Sequence, residues 1–217
     1  MRLTVPSRYG VQTLPCSVHY PAGRMPTTGW PVILFLHGAG ERGTDGTRQA
    51  AVGIGPALSK FPWRYPAIVV MPQCPEDVQW SPPVLEGAVA ALDAVLDSAR
   101  IDERRVYLTG ISMGGFGAFA LAARFPTRFA ALVPVCGWGD PATMSRPLAW
   151  MPIWAFHGAD DDIVPVAYSR EMVAAIRAFG NDRVRYTEYR TVRHNSWDLA
   201  YGDAELPAWL LRQRREH

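Results

Sequence analysis

The chain has 217 residues, 48% of them hydrophobic, and 22 basic against 20 acidic side chains for a net charge of +2, which suits one ordinary core built without disulfides or metal. No basic run is denser than Arg212-Gln213-Arg214-Arg215, which argues against nucleic acid as a partner. Three widely spaced cysteines (Cys16, Cys74, Cys136) with no Cys-x-x-Cys pair exclude a disulfide framework and argue against zinc or redox work, so a reduced, cytoplasmic protein is expected.

In chain order, Met1-Arg2-Leu3-Thr4-Val5-Pro6-Ser7-Arg8 lacks the apolar core of a signal peptide, and no apolar stretch reaches membrane-spanning length, so no membrane partner is expected. Leu14 to Tyr20 alternates weakly and stops at Pro21-Ala22-Gly23, as an edge strand does. Trp30-Pro31-Val32-Ile33-Leu34-Phe35-Leu36 is continuously apolar, the pattern of a parallel strand covered on both faces. It runs into a glycine-rich loop, His37-Gly38-Ala39-Gly40-Glu41-Arg42-Gly43. Further strands are expected at Ala67–Met71, Arg105–Thr109, Phe129–Val135, Pro152–Phe156 and Val184–Tyr189.

Helices alternate with them. Ser81-Pro82-Pro83 opens one whose Leu85, Ala88, Val89, Leu92, Val95, Leu96 and Ala99 recur at helical spacing. Pro165 opens another, stopped by Gly180-Asn181, and a last helix follows Asp203 with Pro207 near its start. The alternation predicts an α/β fold, a doubly wound and mostly parallel sheet with helices on both faces, in a single domain over 1–217.

The sharpest local signal is Arg105-Val106-Tyr107-Leu108-Thr109-Gly110-Ile111-Ser112-Met113-Gly114-Gly115-Phe116-Gly117, a strand that turns abruptly into a helix at a serine between glycines. Such a turn strains the serine backbone and pushes its Oγ outward, which makes Ser112 a candidate nucleophile. The following helix aims its first N–H groups at the space above it, and Met113 N–H is the nearest oxyanion donor.

A serine hydroxyl needs an imidazole base, and the imidazole needs an acid that fixes its tautomer. Hydrolases with this turn carry them in the order serine, acid, histidine. Of five histidines only His194 and His217 come late enough, and His217 is the chain's terminal residue, which leaves His194 on the loop after the last strand. The acid is sought after Phe156-His157-Gly158, where Asp160, Asp161 and Asp162 stand together, with Asp140 a weaker rival.

Gly110-Ile111-Ser112-Met113-Gly114, the loop Leu36 to Gly43, the run His157 to Pro165 and His194-Asn195-Ser196-Trp197 together resemble the α/β-hydrolase superfamily. Within it the chain is similar to compact esterases of the dienelactone-hydrolase, phospholipase/carboxylesterase and "predicted peptidase" group, from about Leu14 to Leu211. The resemblance implies Asp161 as the acid, with Asp162 as fallback, through the pattern His-Gly-x-x-Asp-x-x-Val-Pro. It also implies Ala39 N–H as the second oxyanion donor, with Gly38 and Gly40 allowing close approach.

His37 and His157 read as structural, and Glu41 with Arg42 as a pair that holds the loop. Pro72-Gln73-Cys74-Pro75, Trp80, Trp138 and Trp197 lie beside strand ends, where they are expected as binding walls. The short span between Val135 and Pro152 leaves no room for a folded cap. The expectation is a serine hydrolase of short-chain or aryl carboxylic esters, small or polymer-linked, without metal or organic cofactor. A prolyl-oligopeptidase-like peptidase and a non-catalytic binding module on the same fold are the rivals.

Overall fold

The computed structural model describes residues 14–215, so the start of the chain, read above as carrying no signal peptide, and His217 lie outside the described residues. The strands are β1 (Cys16–His19), β2 (Trp30–Leu36), β3 (Ile68–Pro72), β4 (Ile101–Ile111), β5 (Ala131–Val135), β6 (Ile153–Gly158) and β7 (Val184–Tyr189). They form one sheet in the order β1-β3-β2-β4-β5-β6-β7. Among the described strands, only the edge strand β1 is antiparallel to its neighbour. The helices are α1 (Ile54–Lys60), α2 (Pro82–Ser98), α3 (Met113–Arg124), α4 (Pro141–Met144), α5 (Val166–Ala178), α6 (Trp197–Gly202) and α7 (Glu205–Leu210).

The continuous apolar run of β2 works because its side chains alternate between two cores. Val32, Leu34 and Leu36 pack on the face covered by α2, α3 and α5, while Ile33 and Phe35 pack on the face covered by α1, α6 and α7. β4 repeats the division, with Val106 and Leu108 on the first face and Tyr107 and Ile111 on the second. Thr109, which falls on the second face, satisfies its hydroxyl on Val133 O and Tyr201 Oη, each at 2.7 Å.

Several elements depart from the sequence expectation, among them the short helix α4. β4 starts at Ile101, ahead of the expected Arg105, because Trp30 pairs with Ile101 before a register shift at Pro31, which has no N–H to offer the ladder. Helix α1 begins Ile54-Gly55-Pro56, a poor helical sequence, and is held by the burial of Ile54, Ala57 and Leu58. Helix α6, which the sequence pattern does not mark, begins three residues after His194.

Register sets the site. Leu36 pairs with Gly110, Ile111 with Val135, Val135 with Phe156 and His157 with Glu188. The residues after these positions therefore emerge together at the carboxyl edge, where ligands bind in open α/β sheets.

Candidate active site

Ser112 caps α3 with φ 53° and ψ −120°, a conformation that costs a non-glycine residue about 1–3 kcal/mol. Its surroundings hold it there. Ser112 N–H donates to Val135 O at 2.9 Å. A Cβ on Gly110 would lie 2.1 Å from Gly114 O, and one on Gly114 would lie 2.0 Å from Leu36 O, so only glycine lets α3 approach the strands this closely.

The loop after β7 brings His194 over this serine. His194 Nε2 lies 2.9 Å from Ser112 Oγ, and Nδ1 lies 3.0 and 2.8 Å from Asp161 Oδ1 and Oδ2. Asp161 Oδ1 also accepts the N–H groups of Ile163 and Val164, each at 2.9 Å. Burial would raise the Asp161 pKa, yet hydrogen bonds from His194, Val164 and Ile163 outweigh it and hold the carboxyl below its ordinary value. The rival carboxylates are elsewhere. Asp162 pairs with Arg193 at 3.5 Å on the surface, Asp160 is exposed, and Asp140 caps α4 by accepting Ala142 N–H at 3.0 Å.

Gly38 brings the glycine-rich loop beside the serine, since a Cβ there would lie 3.6 Å from Ser112 Cβ. Ala39 opens a short 3-10 turn and Met113 opens α3, so neither N–H has an acceptor within its own helix. His37 braces this loop from beneath. Its Nε2 accepts Cys74 N–H at 2.8 Å, which leaves the proton on Nδ1 to donate to Gly38 O at 2.6 Å. Burial pushes His37 down to about 4, so the ring is neutral.

Trp80 was expected to line a substrate pocket and does not. Its indole is fully buried and donates to His37 O at 2.9 Å. Pro72-Gln73-Cys74-Pro75 likewise turns inward rather than forming a wall. Gln73 is buried, donates to Glu41 O at 3.0 Å and accepts Gly46 N–H at 2.6 Å. Arg42 does not pair with Glu41. It donates to Ala39 O at 2.9 Å and Val78 O at 3.3 Å, fixing the loop through carbonyls.

The other aromatics are half-buried. Trp138 stacks on Phe116 at 5.4 Å, one turn into α3 from Ser112, and Trp197 meets the His194 ring edge-on at 5.2 Å. Gly40 is exposed, with open space beside its Cα. Phe116 escaped sequence reading because its place in the apolar run of α3 looks like core. His157 was set aside as structural, yet its Nε2 lies 3.1 Å from Asp161 Oδ2, and the only sequence signal for that is its position four residues before Asp161.

Cys136, Asp161 and His194 present potential ligand atoms within 4.8 Å of one another. Their chemistry does not suit a cation: burial pushes the Cys136 thiol far above its ordinary pKa, and Asp161 and His194 are already bonded to each other.

Residues 85–205 match the family described as Phospholipase/Carboxylesterase. NocK of Nocardia uniformis subsp. tsuyamanensis is 30% identical over 164 residues, covering 72% of this chain and 46% of NocK. The poly(3-hydroxyoctanoate) depolymerase of Pseudomonas fluorescens is 27% identical, over 88% of this chain and 76% of the depolymerase. The crystal structure of a thermostable esterase superposes with a TM-score of 0.87 at 34% identity, covering 99% of this chain and 62% of the esterase. The chain thus spans about half the length of NocK and under two thirds of that esterase. With the family match extending over more than half its length, from α2 to the start of α7, the chain belongs to the phospholipase/carboxylesterase family of α/β-hydrolases.

Proposed function

We propose that the protein hydrolyses carboxylic esters through an acyl-enzyme, with Ser112 as nucleophile, His194 as base and Asp161 as the acid that holds His194. The observation that carries this reading is the 2.9 Å contact between His194 Nε2 and a serine strained to φ 53° at a strand-to-helix turn. Ser112 Oγ attacks the acyl carbon as His194 Nε2 takes its proton, and Asp161 stabilises the imidazolium. The N–H groups of Ala39 and Met113 receive the developing oxyanion. His194 then passes the proton to the departing alcohol. A water, deprotonated by the same imidazole, attacks the acyl carbon and frees the acid.

The proposed substrates are short-chain or aryl acyl esters, including esters attached to sugars or polymers. The segment from Cys136 to Pro152 holds only the short helix α4, which supports a cleft open on the alcohol side. The Phe116–Trp138 stack offers a flat apolar wall, and Gly40, Trp138 and Trp197 are the proposed substrate contacts. The related depolymerase is named for a polymeric ester. Three free buried thiols suit a reducing, cytoplasmic compartment.

The test is labelling with a fluorophosphonate, followed by an aryl ester assay of Ser112→Ala. A covalent adduct on Ser112 and a loss of turnover of about 10⁴-fold or more in the folded variant are expected. Wild-type turnover in Ser112→Ala would overturn the reading.

A further inference from the structure

Two imidazoles touch Asp161, and the chemistry above uses one. The second, His157, sits at the end of β6 with its side chain fully enclosed, and its Nε2 lies 3.1 Å from Asp161 Oδ2. The same nitrogen lies 2.9 Å from Val164 O. A carbonyl and a carboxylate both only accept, so a bare Nε2 would aim its lone pair at two oxygens. The proton therefore sits on Nε2.

The other face of the ring is governed by Ser169 of α5. Its buried Oγ lies 2.7 Å from His157 Nδ1 and 2.9 Å from Gly137 O. One hydroxyl has one hydrogen. If it goes to Nδ1, His157 is neutral with its proton on Nε2. If it goes to Gly137 O, Nδ1 needs a proton of its own and the ring becomes a cation. Burial lowers the His157 pKa, which selects the neutral ring and sends the Ser169 hydrogen to Nδ1.

We propose that His157 is a positioning residue for the Ser112–His194–Asp161 site, its Nε2–H holding Asp161 Oδ2 so that the carboxylate stays facing His194, with Ser169 selecting the required tautomer. This rests on the triad reading above. A donor on Oδ2 beside His194 also disperses the charge of that oxygen. Removing that donor leaves Oδ2 to His194 alone, while Oδ1 stays on Ile163 and Val164 N–H, and concentrates the carboxylate's charge on His194, so that imidazolium persists to higher pH. The other titratable groups around the cluster are the buried Cys136 thiol just after β5 and Glu188 from β7. Glu188 is held by Arg170 of α5 at 2.8 and 2.6 Å and by Tyr186 Oη at 2.9 Å. The variants below replace none of them.

The experiment compares His157→Phe, His157→Gln and Ser169→Ala with the wild type, each normalised to its fluorophosphonate-titrated fraction. It records kcat and KM for an aryl acetate across pH, and the His194 Nδ1–H proton resonance. In His157→Phe, kcat should fall about tenfold with KM little changed, the loss expected for one hydrogen bond to a charged group. Its acid limb should move to higher pH and the resonance should shift. Ser169→Ala should move both readouts the same way by less, and His157→Gln should recover part of the loss because its amide can donate to Asp161. An unchanged acid limb and resonance in folded His157→Phe overturns the proposal, and the same result in Ser169→Ala does so if His157→Phe fails to fold. Failure of the triad reading itself is separate, because wild-type turnover would then survive Ser112→Ala.

Discussion

Replacing Asp161 by asparagine tests the acid with almost no change of shape. The N–H groups of Ile163 and Val164 both donate to Oδ1 at 2.9 Å, and backbone amides, unlike the imidazoles beside Oδ2, cannot move their protons, so the asparagine carbonyl takes that position. The amide NH₂ then falls at Oδ2, 2.8 Å from His194 Nδ1, and presents a donor where the carboxylate had accepted. His194 can answer only by accepting at Nδ1 and carrying its proton on Nε2. That nitrogen faces Ser112 Oγ at 2.9 Å and can no longer take the serine proton. A wrong tautomer of this kind lowers kcat by about 10⁴-fold. The assay is kcat for an aryl acetate, with thermal melting to show that the variant is folded. Asp160→Asn and Asp162→Asn are the matched controls, and both should stay within about twofold because an exposed carboxylate contributes little. An Asp161→Asn enzyme within tenfold of wild type would refute the reasoning, and a crippled Asp162→Asn would move the acid by one residue.

Gly114→Ala should cost about 100-fold in kcat/KM, because its Cβ would stand 2.0 Å from Leu36 O and 2.6 Å from His37 O and force the turn apart by about 1 Å. Gly202→Ala, with open space at its Cα, should match the wild type in rate and melting temperature, and equal behaviour of the two variants would refute the packing argument. Folding stability should fall as pH drops from about 6.5 toward 4, because burial pushes His37 down to about 4 and the unfolded chain then binds more protons than the folded one. That loss is on the order of 3 kcal/mol from His37, and buried His157 acts with the same sign. Urea melts across this range should show a flatter slope in His37→Gln, and an unaltered slope would contradict the assignment. For acetyl through palmitoyl esters of one alcohol, kcat/KM should level off after the first few carbons, since an open cleft stops gaining the roughly 0.8 kcal/mol per buried CH₂. A steady rise to palmitoyl would indicate an enclosed acyl tunnel.

Much of the architecture was legible from short-range pattern. The unbroken apolar run of β2 announced a strand covered on both faces, and it contributes alternately to two cores. Gly110 and Gly114 around Ser112 announced a turn with no room for a Cβ, and the backbone contacts at those glycines are that turn. Those signals survive in one dimension because their causes are local: side-chain period, a missing Cβ, a proline at a helix start. The order of serine, acid and histidine narrowed the field further, though the choice among Asp160, Asp161 and Asp162 needed a family pattern at the sequence level.

Contacts between distant segments decided the rest. Trp80 beside a strand end reads equally as pocket wall or core, and only the position of the His37 carbonyl, 43 residues away, turned its indole inward. Ser112 and His194 are 82 residues apart, and nothing in either neighbourhood specifies a 2.9 Å separation. The parallel register of β4 to β7 produces it, by ending four strands at one edge. His157 is the clearest case. Its spacing from Asp161 was visible, but whether its ring faced solvent, core or carboxylate depended on α5 packing Ser169 against it. A side chain's environment is the sum of what other elements bring, and hydrogen-bond geometry, tautomer and pKa all follow from that sum.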